Sequence, residues 1–171
     1  MNLVDRLEAE HQVFLRQLDE LEQCLDSSGT DQLQILQGSA SLLHAALEYH
    51  AECEEKQLFP NLVPHLGSSG GPIQVMNEEH NMLRHEADIM LKTKLSNEAI
   101  APVTKATRAY ISILRDHIAK EDGVLFPMSR SFLSQDRLNE LDSTCPHVKQ
   151  SAPSCPSHTT GEMHSNRPCS H

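Results

Sequence analysis

Residues 50–60 read HAECEEKQLFP and residues 117–127 read HIAKEDGVLFP. In both, a histidine is followed four residues later by a glutamate, and then by Leu-Phe-Pro at offsets of eight, nine and ten. Glu10-His11 and Glu79-His80 recur at nearly the interval that separates the two longer motifs. The chain therefore reads as two copies of one helical hairpin, each offering a histidine from its first helix and a His plus Glu from its second. Two such hairpins, each with one apolar face to bury, satisfy each other as a four-helix bundle with approximate two-fold symmetry.

The apolar periodicity supports this at every position. Leu3, Leu7, His11, Phe14, Leu18, Leu21 and Leu25 recur at spacings of three and four, the rhythm of a helix in a bundle. Ser27, Ser28 and Gly29 are expected to end it. A second helix over roughly 31–59 carries Leu33, Leu36, Ala40, Leu43, Leu47, His50, Glu54 and Leu58 on one stripe. Pro60 follows, and residues 64–72 are expected to form a loop. A third, over roughly 73–95, carries Ile73, Met76, His80, Leu83, Ala87 and Met90. A fourth begins at Pro102, aligns Val103, Ala106, Tyr110, Ile113, His117, Glu121 and Leu125, and is expected to stop near Pro127. Residues 135–141 are expected to add a short fifth helix on the outside. No segment reads as a strand. The class is all-α: an antiparallel up-down-up-down bundle over residues 1–142, followed over 143–171 by a tail rich in Pro, Ser, Cys and His that is expected to be disordered.

At 171 residues the chain can bury a core without disulfide staples. Its 24 acidic against 14 basic residues give a net charge of −10, which argues against nucleic acid and anionic membrane as partners. No apolar run approaches the ~18 residues of a membrane span, and the opening MNLVDRLEAEHQ has acids where a signal peptide carries bases. A soluble, cytoplasmic protein is expected. The five cysteines are odd in number and form no CxxC, so free thiols are expected.

Residues i and i+4 of a helix lie about 40° apart around the axis and about 6 Å apart along it. His50 with Glu54, and His117 with Glu121, thus project side by side from the stripe that points inward. A single histidine on such a stripe is more often a satisfied core residue than a ligand. Here four histidines and two glutamates occupy the stripes of four helices, and burying each without a partner costs several kcal/mol. A dinuclear metal centre removes that cost, because bound carboxylates are ionised and bound imidazoles neutral. Imidazole with carboxylate suits iron, and manganese or zinc to a lesser degree. Cys53, about 100° around the helix from Glu54, is expected to face away.

With His11, His50-x-x-x-Glu54, His80 and His117-x-x-x-Glu121, and Leu-Phe-Pro after each pair, residues 3–133 resemble hemerythrin and the hemerythrin-like HHE cation-binding domains. The resemblance implies a left-handed bundle holding two non-haem irons in an oxo-bridged di-iron centre. By that resemblance, His11 and His50 bind one iron, His80 and His117 the other, and Glu54 and Glu121 bridge them. Oxygen-carrying members place a further histidine four residues after the third-helix ligand, where this chain has Arg84; His85 is expected to point away. They also bridge with a carboxylate five residues after the last histidine, where Asp122 stands, although repeat symmetry favours Glu121. A four-His, two-Glu set is more similar to iron-centre repair proteins and to iron-sensing ubiquitin-ligase subunits. The former carry an additional N-terminal cysteine-bearing domain, which is not expected in this chain because His11 lies so near its start.

The resemblance implies binding of, or reaction with, O2, NO or peroxide, for sensing or scavenging. The alternative is iron storage or donation, linked to Fe–S cluster repair under nitrosative or oxidative stress, with a redox or Fe–S protein as partner. An enzymatic reduction of peroxide or NO is a third reading. The tail motifs around Cys145, His147, Cys155, His158, Met163, His164, Cys169 and His171 read first as a solvated linker and second as a soft-metal site. His44 is expected on a flank and Met76, Met82 and Met90 in the core. Tyr110 is expected either to pack in the core or to hydrogen-bond the bridge.

Overall fold

The structure, a computed structural model, describes residues 1–26, 32–94 and 96–145. Helix α1 is Leu3–Asp26. Asn2 caps it: the Asp5 N–H donates to Asn2 Oδ1 at 3.0 Å, and the Asp5 carboxylate accepts from the Asn2 N–H. Helix α2 spans 32–66, α3 is Pro72–Lys92, α4 spans 100–132 and α5 is Gln135–Thr144. The residues expected to end α1 lie outside the described chain. Within each hairpin the two helices pack on one another, and α2 against α3 and α1 against α4 close the ring. The result is an all-α antiparallel bundle. No described helix is long and apolar enough to cross a membrane.

The second helix of each hairpin runs further than its proline suggests. Instead of ending at Pro60, α2 passes from α-helical Gln32–Cys53 through a π-helical turn, Glu54–Leu58, into α-helical Phe59–Leu66. Helix α4 does the same, from Ile100–Lys120 through Glu121–Leu125 to Phe126–Phe132. The N–H of Phe59 donates to the Glu54 carbonyl and that of Phe126 to the Glu121 carbonyl, five residues back. Proline lacks an N–H and clashes with the carbonyl four residues earlier; widening the turn just ahead of it relieves both problems without breaking the helix. The loop expected at 64–72 is therefore only 67–71, where Gly67 and Gly70 adopt positive φ (76° and 70°) and reverse the chain.

The two large apolar clusters of the core flank a polar layer, and a small third cluster joins Leu33, Ala99 and Val103. One large cluster contains Phe14, Leu18, Leu47, Leu83, Tyr110 and Leu114. The other contains Leu3, Leu7, Leu58, Phe59, Met76, Leu125 and Phe126. On every helix the histidine of the stripe falls at the boundary. Met76 and Met90 are core residues as expected, but Met82 is 51 % exposed, and Ile111 and Leu114 are buried where Ile113 was expected.

Helix α5 packs on α1 and on the π turn of α2. Ser134 caps it, its hydroxyl accepting from the Arg137 N–H at 3.2 Å. It buries Leu138 and Leu141 and continues to Thr144, with Cys145 also buried, so ordered chain passes the expected boundary at 142. The rest of the tail, 146–171, lies outside the described residues.

Candidate metal centre

The polar layer holds His11 from α1, His50 and Glu54 from α2, His80 from α3, and His117 and Glu121 from α4. All six are at most 2 % exposed. They form two groups, His11, His50, Glu54 and Glu121, and Glu54, His80, His117 and Glu121. Within each group the candidate ligand atoms lie within 4.8 Å of one another, and both glutamates belong to both groups. The two glutamates are the first residues of the two π turns, so a local widening of the helix sits at each shared carboxylate.

The Nε2 atoms of His11 and His50 are 3.1 Å apart, and those of His80 and His117 are 3.2 Å apart. Glu54 presents Oε1 to His50 Nε2 at 3.4 Å and Oε2 to His80 Nε2 at 3.4 Å. Glu121 Oε2 lies 3.3 Å from His11 Nε2 and 3.4 Å from His117 Nε2. Each carboxylate thus reaches from one histidine pair to the other.

The opposite nitrogen of each imidazole is held by a carboxylate. His11 Nδ1 lies 2.7 Å from Asp122 Oδ1, His50 Nδ1 2.8 Å from Glu10 Oε2, His80 Nδ1 2.8 Å from Glu55 Oε1, and His117 Nδ1 3.0 Å from Glu79 Oε2. An ionised carboxylate only accepts, so each Nδ1 carries the proton and each Nε2 is left free to offer its lone pair inward. Three of these carboxylates are themselves anchored by cations: Glu10 by Arg6 at 2.8 Å, Glu55 by Arg84 at 3.0 Å, and Glu79 by Lys120. Asp122 therefore orients His11, while Glu121 is the carboxylate in the layer.

Reading the sequence for inward-facing positions alone misses this outer ring. The signal is present: Glu10-His11 matches Glu79-His80, and Glu54-Glu55 matches Glu121-Asp122. The Leu-Phe-Pro repeat also acquires a use. Phe126 stacks on His11 (5.3 Å between ring centres, 15° between planes) and Phe59 on His80 (6.0 Å, 17°). Each phenylalanine covers a histidine of the opposite hairpin.

The donor set suits a pair of cations. None of the four carboxylate oxygens of Glu54 and Glu121 has a hydrogen-bond donor among the described residues, despite full burial. Leaving them so would cost several kcal/mol each. Ligands bound at about 2.1 Å to one ion stand about 3.0 Å apart at right angles and about 3.4 Å apart at the tetrahedral angle, and the nitrogen–nitrogen and nitrogen–oxygen separations fall in that interval. Without a cation, protons take its place. Burial alone would lower His50, but Glu54, Glu10 and Glu121 raise it to about 10, and Glu54 and Glu55 overcome burial to raise His80 to about 9. Burial likewise opposes ionisation of Glu54, yet His50 and His80 hold its carboxyl well below the usual range. Burial and the neighbouring Glu54 charge push Glu121 up.

The other candidates fall outside this layer. Arg84 points outward, bonding Glu48 at 3.0 and 3.1 Å as well as Glu55. His85 is exposed. Cys53 belongs to the lower apolar cluster. Tyr110 is fully buried in the upper cluster, with its hydroxyl 3.5 Å from Nδ1 of the flanking His44.

A sequence model of the hemerythrin HHE cation-binding domain matches residues 2–129. Among curated proteins, the chain is 32% identical over 108 residues to an iron-sulfur cluster repair protein YtfE of Dickeya chrysanthemi strain Ech1591, covering 57% of this chain and 45% of that one. It is 34% identical over 99 residues to the protein of that name in Escherichia coli K12 / DH10B, covering 51% and 43%. The chain spans less than half the length of these relatives. No solved structure matches. With the family pattern covering residues from all four helices of both hairpins, the chain belongs to the hemerythrin HHE cation-binding domain family.

Proposed function

We propose that the bundle holds two non-haem irons, one between His11 and His50 and the other between His80 and His117. Glu54 and Glu121 bridge them together with an oxo group, and the pair binds or reacts with O2, NO or peroxide for sensing or scavenging. The observation that carries this reading is the sharing of two undonated, fully buried carboxylates between two pairs of facing imidazoles. Such an iron pair would supply two electrons to a small molecule. The chain's contribution is to fix four tautomers through Asp122, Glu10, Glu55 and Glu79, and to exclude bulk water with Phe59, Phe126 and the two apolar clusters. Metal analysis of the purified chain with its absorption spectrum tests the site. Two irons per chain with near-ultraviolet oxo-to-iron bands are expected; one zinc would overturn it. Anaerobic reduction followed by exposure to O2 or NO tests the reactivity, which fails if no new band appears and no gas is consumed.

A second reading, iron donation to damaged Fe–S clusters, is favoured by the names of the relatives. Lability separates the two. Iron that resists a mild chelator in both redox states argues for the first, and iron released on reduction argues for the second.

A further inference from the structure

Two of the three described cysteines sit together, away from the metal layer. Cys53, the last α-helical residue before the π turn of α2, is fully buried, and Cys145, which closes α5, is 3 % exposed. Both belong to the same buried apolar cluster. Three polar fastenings set the register between the elements that carry them. Arg6 donates Nη2 to Cys53 Sγ at 3.6 Å and Nε to Asp142 Oδ1 at 2.7 Å, so one guanidinium holds both sides. The Thr144 hydroxyl donates to Gln57 Oε1 at 3.1 Å, and Arg137 donates to Asn61 Oδ1 at 2.8 and 3.1 Å. The partners on α2, residues 53, 57 and 61, succeed one another at four-residue intervals. The fastenings therefore hold the end of α5 against the stretch of α2 that begins at Cys53, and bring both thiols into one buried cluster.

We infer that Cys53 and Cys145 form a peroxide-oxidisable dithiol whose disulfide staples α5 to α2. The thiolate of Cys53 attacks one oxygen of a hydroperoxide, breaking the O–O bond, giving a sulfenic acid and releasing water once the leaving hydroxide is protonated. The Cys145 sulfur then attacks the sulfenic sulfur, the S–O bond breaks, and a second water leaves. Two thiols lose two electrons in all, and hydrogen peroxide is reduced to two waters. Access comes from the end of α5, a ten-residue outer helix that anchors on only two other buried side chains, so opening of its last turn needs less free energy than opening the bundle. The bond would join the residue immediately before Glu54 to the end of the outer helix, next to the candidate centre but independent of whether metal fills it.

The test uses the full chain, reduced, desalted, treated with one equivalent of hydrogen peroxide, and quenched with an alkylating agent. Tandem mass spectrometry is expected to find a chain lighter by two hydrogens, with a peptide cross-link joining Cys53 to Cys145 that dithiothreitol reverses. Cys145→Ser is expected to abolish the cross-link and leave Cys53 as a sulfenic acid that dimedone captures. Pairing with Cys24, Cys155 or Cys169 instead, recovery of both thiols alkylated, or a cross-link formed with diamide but not with peroxide would each overturn the inference. The measurement on the unsubstituted chain decides the matter even if the serine variant does not fold.

Discussion

The Nδ1 of His11 donates to Asp122 across 2.7 Å, tying the first helix of one hairpin to the second helix of the other. His80 and Glu55 make the reciprocal bond at 2.8 Å. In both cases the carboxylate is the immediate neighbour of a glutamate in the polar layer. The π turn that carries each inward glutamate therefore also carries the group that orients an imidazole across the bundle. The candidate metal ligands and their supports are built as one unit, repeated twice.

Removing an orienting carboxylate should weaken metal retention without unfolding the bundle. Asp122→Asn and Glu55→Gln keep the shape but surrender the charge that fixes the imidazole, and losses of about 10–100-fold in metal affinity are expected. Competition with a chromophoric chelator measures this. Equal retention by the variants and the parent chain would show that the outer ring is incidental. Arg84→Gln, which removes only the cation behind Glu55, should have the smaller effect, because Arg84 is partly exposed and its ion pairs are screened.

The metal-free chain should lose stability in mild alkali. His50, raised to about 10, and His80, raised to about 9, bind protons more tightly folded than unfolded. Their contribution is complete below the ordinary value of 6.5 and disappears as pH climbs through 9 and 10. Glu121, raised by burial and by Glu54, acts in the same direction above its ordinary 4.5. Glu54, lowered, contributes above 4.5 and is lost only in acid. Each tenfold gain in proton affinity on folding is worth about 1.4 kcal/mol, so stability should fall by several kcal/mol across mild alkali. Thermal unfolding of metal-free protein between neutral pH and the alkaline limit tests it. Loading the site replaces the protons, so metal uptake in weak buffer near neutral pH should release acid.

Much of this was legible in the chain because the repeat writes each inward group twice. The bundle, the four histidines and the two glutamates in the layer follow from one spacing rule, since a side chain on the apolar stripe has nowhere to point but inward. The course of the helices past Pro60 and Pro127 was not legible, because proline signals a lost donor without saying whether the helix stops or widens. The roles of Glu10, Glu55, Glu79 and Asp122 were hidden for a different reason. Each lies about 100° from an inward residue and reads as solvent-facing on its own helix; only the neighbouring helix turns that flank into a contact. That Cys53 and Cys145 share one buried cluster depends on how far α5 continues, and composition alone puts the end of the bundle before Cys145.

Tyr110→Phe should leave the metal centre untouched. The ring belongs to the upper apolar cluster, and the hydroxyl has only a long 3.5 Å contact to His44. A cost below about 1 kcal/mol is expected, since a hydrogen bond of that length contributes little. An altered visible spectrum in the iron-loaded variant would place the hydroxyl at the bridge after all.

The π turns supply the most specific prediction about shape. Pro60 and Pro127 stand one residue beyond them, after Phe59 and Phe126, and the missing N–H is what makes the α-helical bond to the carbonyl of Lys56 or Gly123 impossible. Pro60→Ala restores that donor, so the turn over residues 54–58 gains a competing i→i−4 arrangement that rotates Glu54 away from its place between His50 and His80. Helix content should stay level or rise slightly, because alanine is the better helix former, while metal affinity should fall by about 10-fold. The double variant with Pro127→Ala should lose more, since both shared carboxylates then shift. Circular dichroism and chelator competition on the same samples separate the two effects. Unchanged affinity with unchanged helicity would mean that packing of Leu58, Phe59, Leu125 and Phe126 in the lower cluster, rather than the prolines, holds the widened turns in place.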